Sequence, residues 1–269
     1  MKEFTETRLP AFAGTVGRIG RPQLMAAAFG IGFTAFLAIE PTQNWLLLLL
    51  TFLVGLGTDG IVRTHPKARF RRLDDTALYL FLPVLFTLAA GLFLEEAAAG
   101  YWTVPAGLLA AVPFGYILQA EYNSVDRKAQ TYPTARLILN AATYVTAFLF
   151  YAAIYDFELE LLPSAFGVGV VSVLLAVEVL REEALETPRT LIYAIAISVL
   201  LAETAWAIHF LPLVEPAAAM FLLLGFYLMT GLMHNHLGQR LNPYTLGEFV
   251  AMTAAGLTVV IVSHNFVFA

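Results

Sequence analysis

The sequence contains no cysteine, which excludes disulfides, thiolate metal centres, iron–sulfur clusters and a cysteine nucleophile. Charge is scarce as well. Only 13% of residues are Asp, Glu, Lys or Arg, about half the share found in a soluble globule. Too few charges remain to cover a water-facing surface, so a soluble domain, a disordered tail and a nucleic-acid-binding domain are all excluded. Strict alternation of apolar and polar residues is missing too, which excludes the strands of a membrane barrel. No P-loop, HExxH, GxSxG or spaced histidine boxes occur, so several enzyme signatures are absent.

What is present is hydrophobic residue, 59% of 269 positions, with a mean hydropathy of +0.74. The bilayer is the solvent such a composition requires. Apolar runs long enough to cross about 30 Å of hydrocarbon at 1.5 Å per residue can be marked at 22–39, 44–62, 77–94, 102–120, 137–155, 163–180, 190–211, 216–233 and 247–268. Helices satisfy their own backbone hydrogen bonds in lipid. The reading is therefore all-α, a polytopic bundle of nine transmembrane helices forming a single domain over 22–269, preceded by a short cytoplasmic tail over 1–21.

The charges test that count. With the N-terminus inside, the inner segments hold four, five, three, two and one Lys or Arg in chain order, which accounts for all 15. The outer segments hold none and carry Glu40, Glu95, Glu96, Asp156, Glu158, Glu160 and Glu215. A wrong helix count would exchange the sides of every later loop, so the positive-inside rule supports nine spans, N-in and C-out, in a cytoplasmic membrane. Pro83 and Pro113 fall inside spans and predict kinks. Paired glycines such as Gly30 and Gly32, or Gly167 and Gly169, predict close helix packing.

Glu203 is the most informative single residue. It lies about 20 Å into the seventh span, where a carboxylate is costly and marks either a site or an interhelical pair. Asn140 and Tyr144 share a helical face in the fifth span with Tyr151, and Tyr227 and Thr230 share one in the eighth with His234. Either stripe lines a cavity or bonds a neighbouring helix. At the cytoplasmic rim, Glu121 and Asp126 follow the fourth span, and His234, His236 and Arg240 follow the eighth. Carboxylates and imidazoles suit a divalent metal and Arg240 suits a phosphate, but the spacing is too general to assign a metal. No cofactor is indicated. His209 and His264 read as interfacial histidines. The loop Arg63–Arg72 holds five Lys or Arg and should attract anionic lipid.

Asp59-Gly60-Ile-Val-Arg63 shares the opening of the CDP-alcohol phosphotransferase motif but lacks its Ala-Arg pair and later aspartates. In layout the chain resembles uncharacterised polytopic bacterial membrane proteins with many short Leu/Ala-rich helices, a resemblance that implies no activity and no site. The leading expectation is a small carrier or permease-like protein, or a membrane-complex subunit, handling a proton, an ion or a small amphiphile near Glu203. A lipid-modifying enzyme at the cytoplasmic rim and a scaffold or assembly subunit are the alternatives.

Overall fold

The computed structural model describes residues 20–39, 43–68, 70, 75–98, 100–181, 187–211 and 213–267. Most of the expected tail, part of the basic loop and Glu40 lie outside the described residues, as do the side chains of Glu96, Glu215 and His264. Among the described residues there are nine α-helices and no strands, and eight of the helices are long and apolar enough to span a membrane. They are α1 (Arg21–Ala38), α2 (Asn44–Arg63), α3 (Ala77–Ala97), α4 (Thr103–Ser124), α5 (Tyr132–Asp156), α6 (Leu161–Leu180), α7 (Thr187–Ile208), α8 (Glu215–Leu237) and α9 (Pro243–Val267). The less apolar one is α1.

From α3 to α7, successive helices run antiparallel. The start of α3, the end of α4, the start of α5, the end of α6 and the start of α7 meet around one cavity at one end of the bundle. The starts of α2 and the ends of α3 and α5 meet at the other. Lys and Arg gather at the first end, called here the basic end.

The four largest differences between helix boundaries and apolar runs, each of four or five residues, are at the basic end. α4 continues through Glu121 to Ser124, α5 begins at Tyr132, α8 continues to Leu237, and α9 begins at Pro243. Hydrocarbon limits the length of an apolar run, but a helix can continue into the interface wherever side chains satisfy it. Arg136 is thus a helical residue in the second turn of α5 and only 3% exposed. The apolar run beginning at 137 leaves Arg136 outside the fifth span, but the helix takes it in. α3 and α4 both continue through Pro83 and Pro113.

α5 occupies the middle, packed on α3, α4, α6 and α8. Its Leu139, Ala147 and Tyr151 are fully buried, as are Leu82 of α3 and Phe226 of α8. α1 lies along α4, where Phe29 stacks on Phe114 with ring centroids 4.0 Å apart. Gly107 permits this approach: a Cβ there would collide with the Thr34 hydroxyl. α6 and α7 form a close pair, whereas α9 packs chiefly on α8. Only 6% of the apolar stretch of α9 is buried. Several interior hydroxyls are satisfied along their own helices. Thr58, Thr143, Thr146, Ser172 and Thr230 each donate to the carbonyl four residues back, at 2.6–2.8 Å, so none needs water.

Candidate functional site

The polar centre of the molecule is a four-residue ion-pair network under the basic end. The last turns of α4 contribute Glu121, the first turns of α5 contribute Arg136, and the end of α6 contributes Glu178 with Arg181 just beyond it. Glu121 and Glu178 are 0% and 1% exposed. Arg181 Nη2 lies 2.7 Å from Glu121 Oε2 and 2.9 Å from Glu178 Oε1. Arg136 Nη1 donates to the same Glu178 oxygen at 3.1 Å, and its Nη2 donates to the Glu178 carbonyl at 3.0 Å. Asn140 Oδ1 accepts from Arg136 Nη2 at 3.5 Å.

Arg181 is held from a third side. Its Nη1 donates to the Leu78 carbonyl at 2.6 Å, and its guanidinium sits 5.0 Å from the centroid of the Tyr79 ring. Burial works against the charge of Arg181, but Glu121 and Glu178 outweigh it and raise its pKa, so the guanidinium stays charged. The four formal charges balance, which is the condition for burying them at all. Two carboxylate oxygens, Glu121 Oε1 and Glu178 Oε2, have no hydrogen-bond partner among the described residues.

Beside the network is a cavity of about 580 Å³. Arg136, Arg181 and the exposed Arg127 line it with Ser124, Tyr79, Tyr132 and Thr190, as do the apolar Phe81, Val173, Leu174, Val177 and Leu191. Arg127 also donates to the Arg181 carbonyl at 3.4 Å. The carboxylates stand behind the arginines and do not line the cavity. The cavity lining is therefore mixed, with three arginines among aliphatic and aromatic side chains. Nearby, Lys67 bonds Asp126 at 2.5 Å and holds its carboxyl below the ordinary aspartate range.

Residues 20–263 match the family model described as a protein of unknown function, DUF5656. The chain belongs to the DUF5656 family. The matched region contains the whole network and the whole cavity of this DUF5656 protein. No curated protein and no solved structure matches the chain.

The residues singled out in the DUF5656 sequence fall into separate places. The two stripes face each other: the hydroxyls of Tyr144 and Thr230 are 3.2 Å apart, and the Tyr144 and Tyr227 rings are 5.7 Å apart, edge to face. Tyr151 turns instead to Ser172, at 2.8 Å. Tyr144→Phe is expected to cost only about 0.5–1 kcal/mol in detergent unfolding, because the rings remain packed. A loss several times larger would mean that the pair supports more than α5–α8 contact.

Glu203 lies on the outward face of α7, beside an apolar groove lined by none of those four stripe residues. Glu121 is buried on Arg181 rather than open at the rim, while Asp126 pairs with Lys67. His234 is half-buried, and His236 and Arg240 are exposed. Among the described residues no three His, Asp or Glu side chains come together as a metal-holding group. Arg136, Glu178 and Arg181 were absent from the sequence candidates. Their signal was present: carboxylates and arginines recur at the basic-end boundaries of three successive helices, with Glu178 and Arg181 one turn apart.

Proposed function

We propose that this integral membrane protein binds a small amphiphile with an anionic headgroup, such as a phosphate or carboxylate lipid, in the cavity at the basic end. The supporting observation is the mixed lining: three arginines together with aliphatic and aromatic side chains around a space of about 580 Å³, within the range of small-molecule sites. Guanidinium groups recognise phosphate and carboxylate through paired N–H donors. The aliphatic and aromatic lining takes the chain. By the positive-inside rule this end belongs to the cytoplasmic leaflet of a cytoplasmic membrane, and the Arg63–Arg72 loop adds attraction for anionic lipid.

Handling a lipid-like molecule, as a carrier or as a lipid-binding subunit of a membrane complex, fits this site better than a pathway through Glu203. A transforming enzyme at the rim would need a general acid or base facing the ligand, and Glu121 is turned into the network.

Native mass spectrometry of protein extracted gently from its own membrane tests the reading. A retained acidic amphiphile is expected. Arg127→Glu, which removes none of the ion pairs of the buried network, should lower its occupancy about tenfold, equivalent to roughly 1.4 kcal/mol. Bare protein, or retention of neutral lipid unaffected by Arg127→Glu, would overturn it.

A further inference from the structure

Glu203 stands apart from the network and the cavity. It sits in the α7 span Arg189–Ile208, about 7 Å from the Ile208 end at the helical rise, and faces outward. No hydrogen bond or ion pair among the described residues involves it. Ionisable groups within a span almost always face protein or water, and hydrocarbon has no donor to offer. Trp206, one turn further along the same face, is 45% exposed, and its indole N–H is equally without an acceptor among the described residues. An unpaired acceptor and an unpaired donor thus lie side by side.

Both border a groove of about 460 Å³ between α6 and α7. Its lining includes the half-buried Gly169 and Ala202, small residues of the kind that let another helix approach closely, and the exposed Phe166. A Cβ at Gly169 would stand in ordinary van der Waals contact with the Ala202 methyl, at 3.5 Å, so α6 and α7 pack side by side here.

We propose that this face is a homodimer interface, and that its occupant is α7 of a second copy of the chain. A two-fold axis along the membrane normal keeps equivalent residues at equal depth and makes every contact twice. Glu203 of each copy then accepts from the Trp206 indole of the other, and both unpaired groups are satisfied reciprocally. A different partner would have to bring a donor and an acceptor at the same spacing. The self-complementary face needs only itself.

The absence of native cysteine makes the test clean. In the full-length protein reconstituted into lipid nanodiscs or vesicles, Val199→Cys on the outward face of α7 should cross-link to itself. Leu48→Cys, equally lipid-facing on α2, should not. Glu203→Leu and Trp206→Phe should each shift the monomer–dimer equilibrium about tenfold toward monomer by single-molecule photobleaching, whereas Glu203→Gln, which keeps an acceptor, should retain the dimer. These side chains are exposed, so the bundle itself is preserved, as its unfolding temperature will report. A monomer at every protein-to-lipid ratio, no Val199→Cys cross-link, association indifferent to Glu203→Leu, or a cross-link only to a different chain would each overturn the proposal.

Discussion

Glu178→Leu is expected to destabilise the protein by about 3–5 kcal/mol, the range for breaking a buried ion pair from one side. Glu178 Oε1 is shared by Arg136 at 3.1 Å and Arg181 at 2.9 Å. Arg181 would keep Glu121, the Leu78 carbonyl and the Tyr79 ring. Arg136, 3% exposed, would lose the Glu178 carboxylate at 3.1 Å while keeping the Glu178 carbonyl and Asn140 Oδ1. Chemical unfolding in a defined detergent measures the loss. Glu178→Leu combined with Arg136→Met should recover most of it, since removing both charges also removes the desolvation cost. If the double variant is as unstable as the single one, the loss comes from packing and the electrostatic account is wrong.

The second large effect is expected at Gly107→Leu. A Cβ there would collide with the Thr34 hydroxyl and come within 3.1 Å of the Thr34 Cα. The hydroxyl cannot swing away freely, because it donates to the Gly30 carbonyl at 2.7 Å. Gly30 is itself tight, with a Cβ position 2.9 Å from the Ala111 methyl. The α1–α4 seam has no slack at either point. Overpacking of this kind costs roughly 1–3 kcal/mol and should act by prying α1 from α4, which limited proteolysis of the α1 segment would report. Gly60→Ala is the control. Nothing lies within 4 Å of a Cβ at Gly60, so the substitution should stabilise α2 by about 0.5–1 kcal/mol through helix propensity.

Helix number and class were legible in the sequence because two independent signals agreed. Apolar runs fixed where the chain enters lipid, and segregation of Lys and Arg fixed which ends lie together. The site was less legible, for a physical reason. A run counted by hydrophobicity stops at the first cluster of polar residues, and at the basic end the helices do not stop there. Glu121 and Arg136 were placed outside the spans although both are helical. Arg136 and Arg181 were counted as loop cations, which hid their pairing with Glu178. Glu203 had the opposite fate. Its depth could be counted along the helix, but the facing of one residue on α7 depends on how α6 and α7 pack, and a near-uniform apolar sequence carries little record of that.

The position of α9 has a consequence for assembly. Its apolar stretch is only 6% buried and it leans chiefly on α8, with Phe249 over Gly231 and Leu224 against the Gly256 position. Lipid supplies no hydrophobic force to press one helix on another, so α9 crosses the bilayer by partitioning but adheres by van der Waals contact along a single seam. The network and the cavity are built from α3 to α7 and are complete without it. Insertion and docking of α9 are therefore separable events, and the α8–α9 seam is where detergent or competing lipid can first wedge the bundle apart sideways.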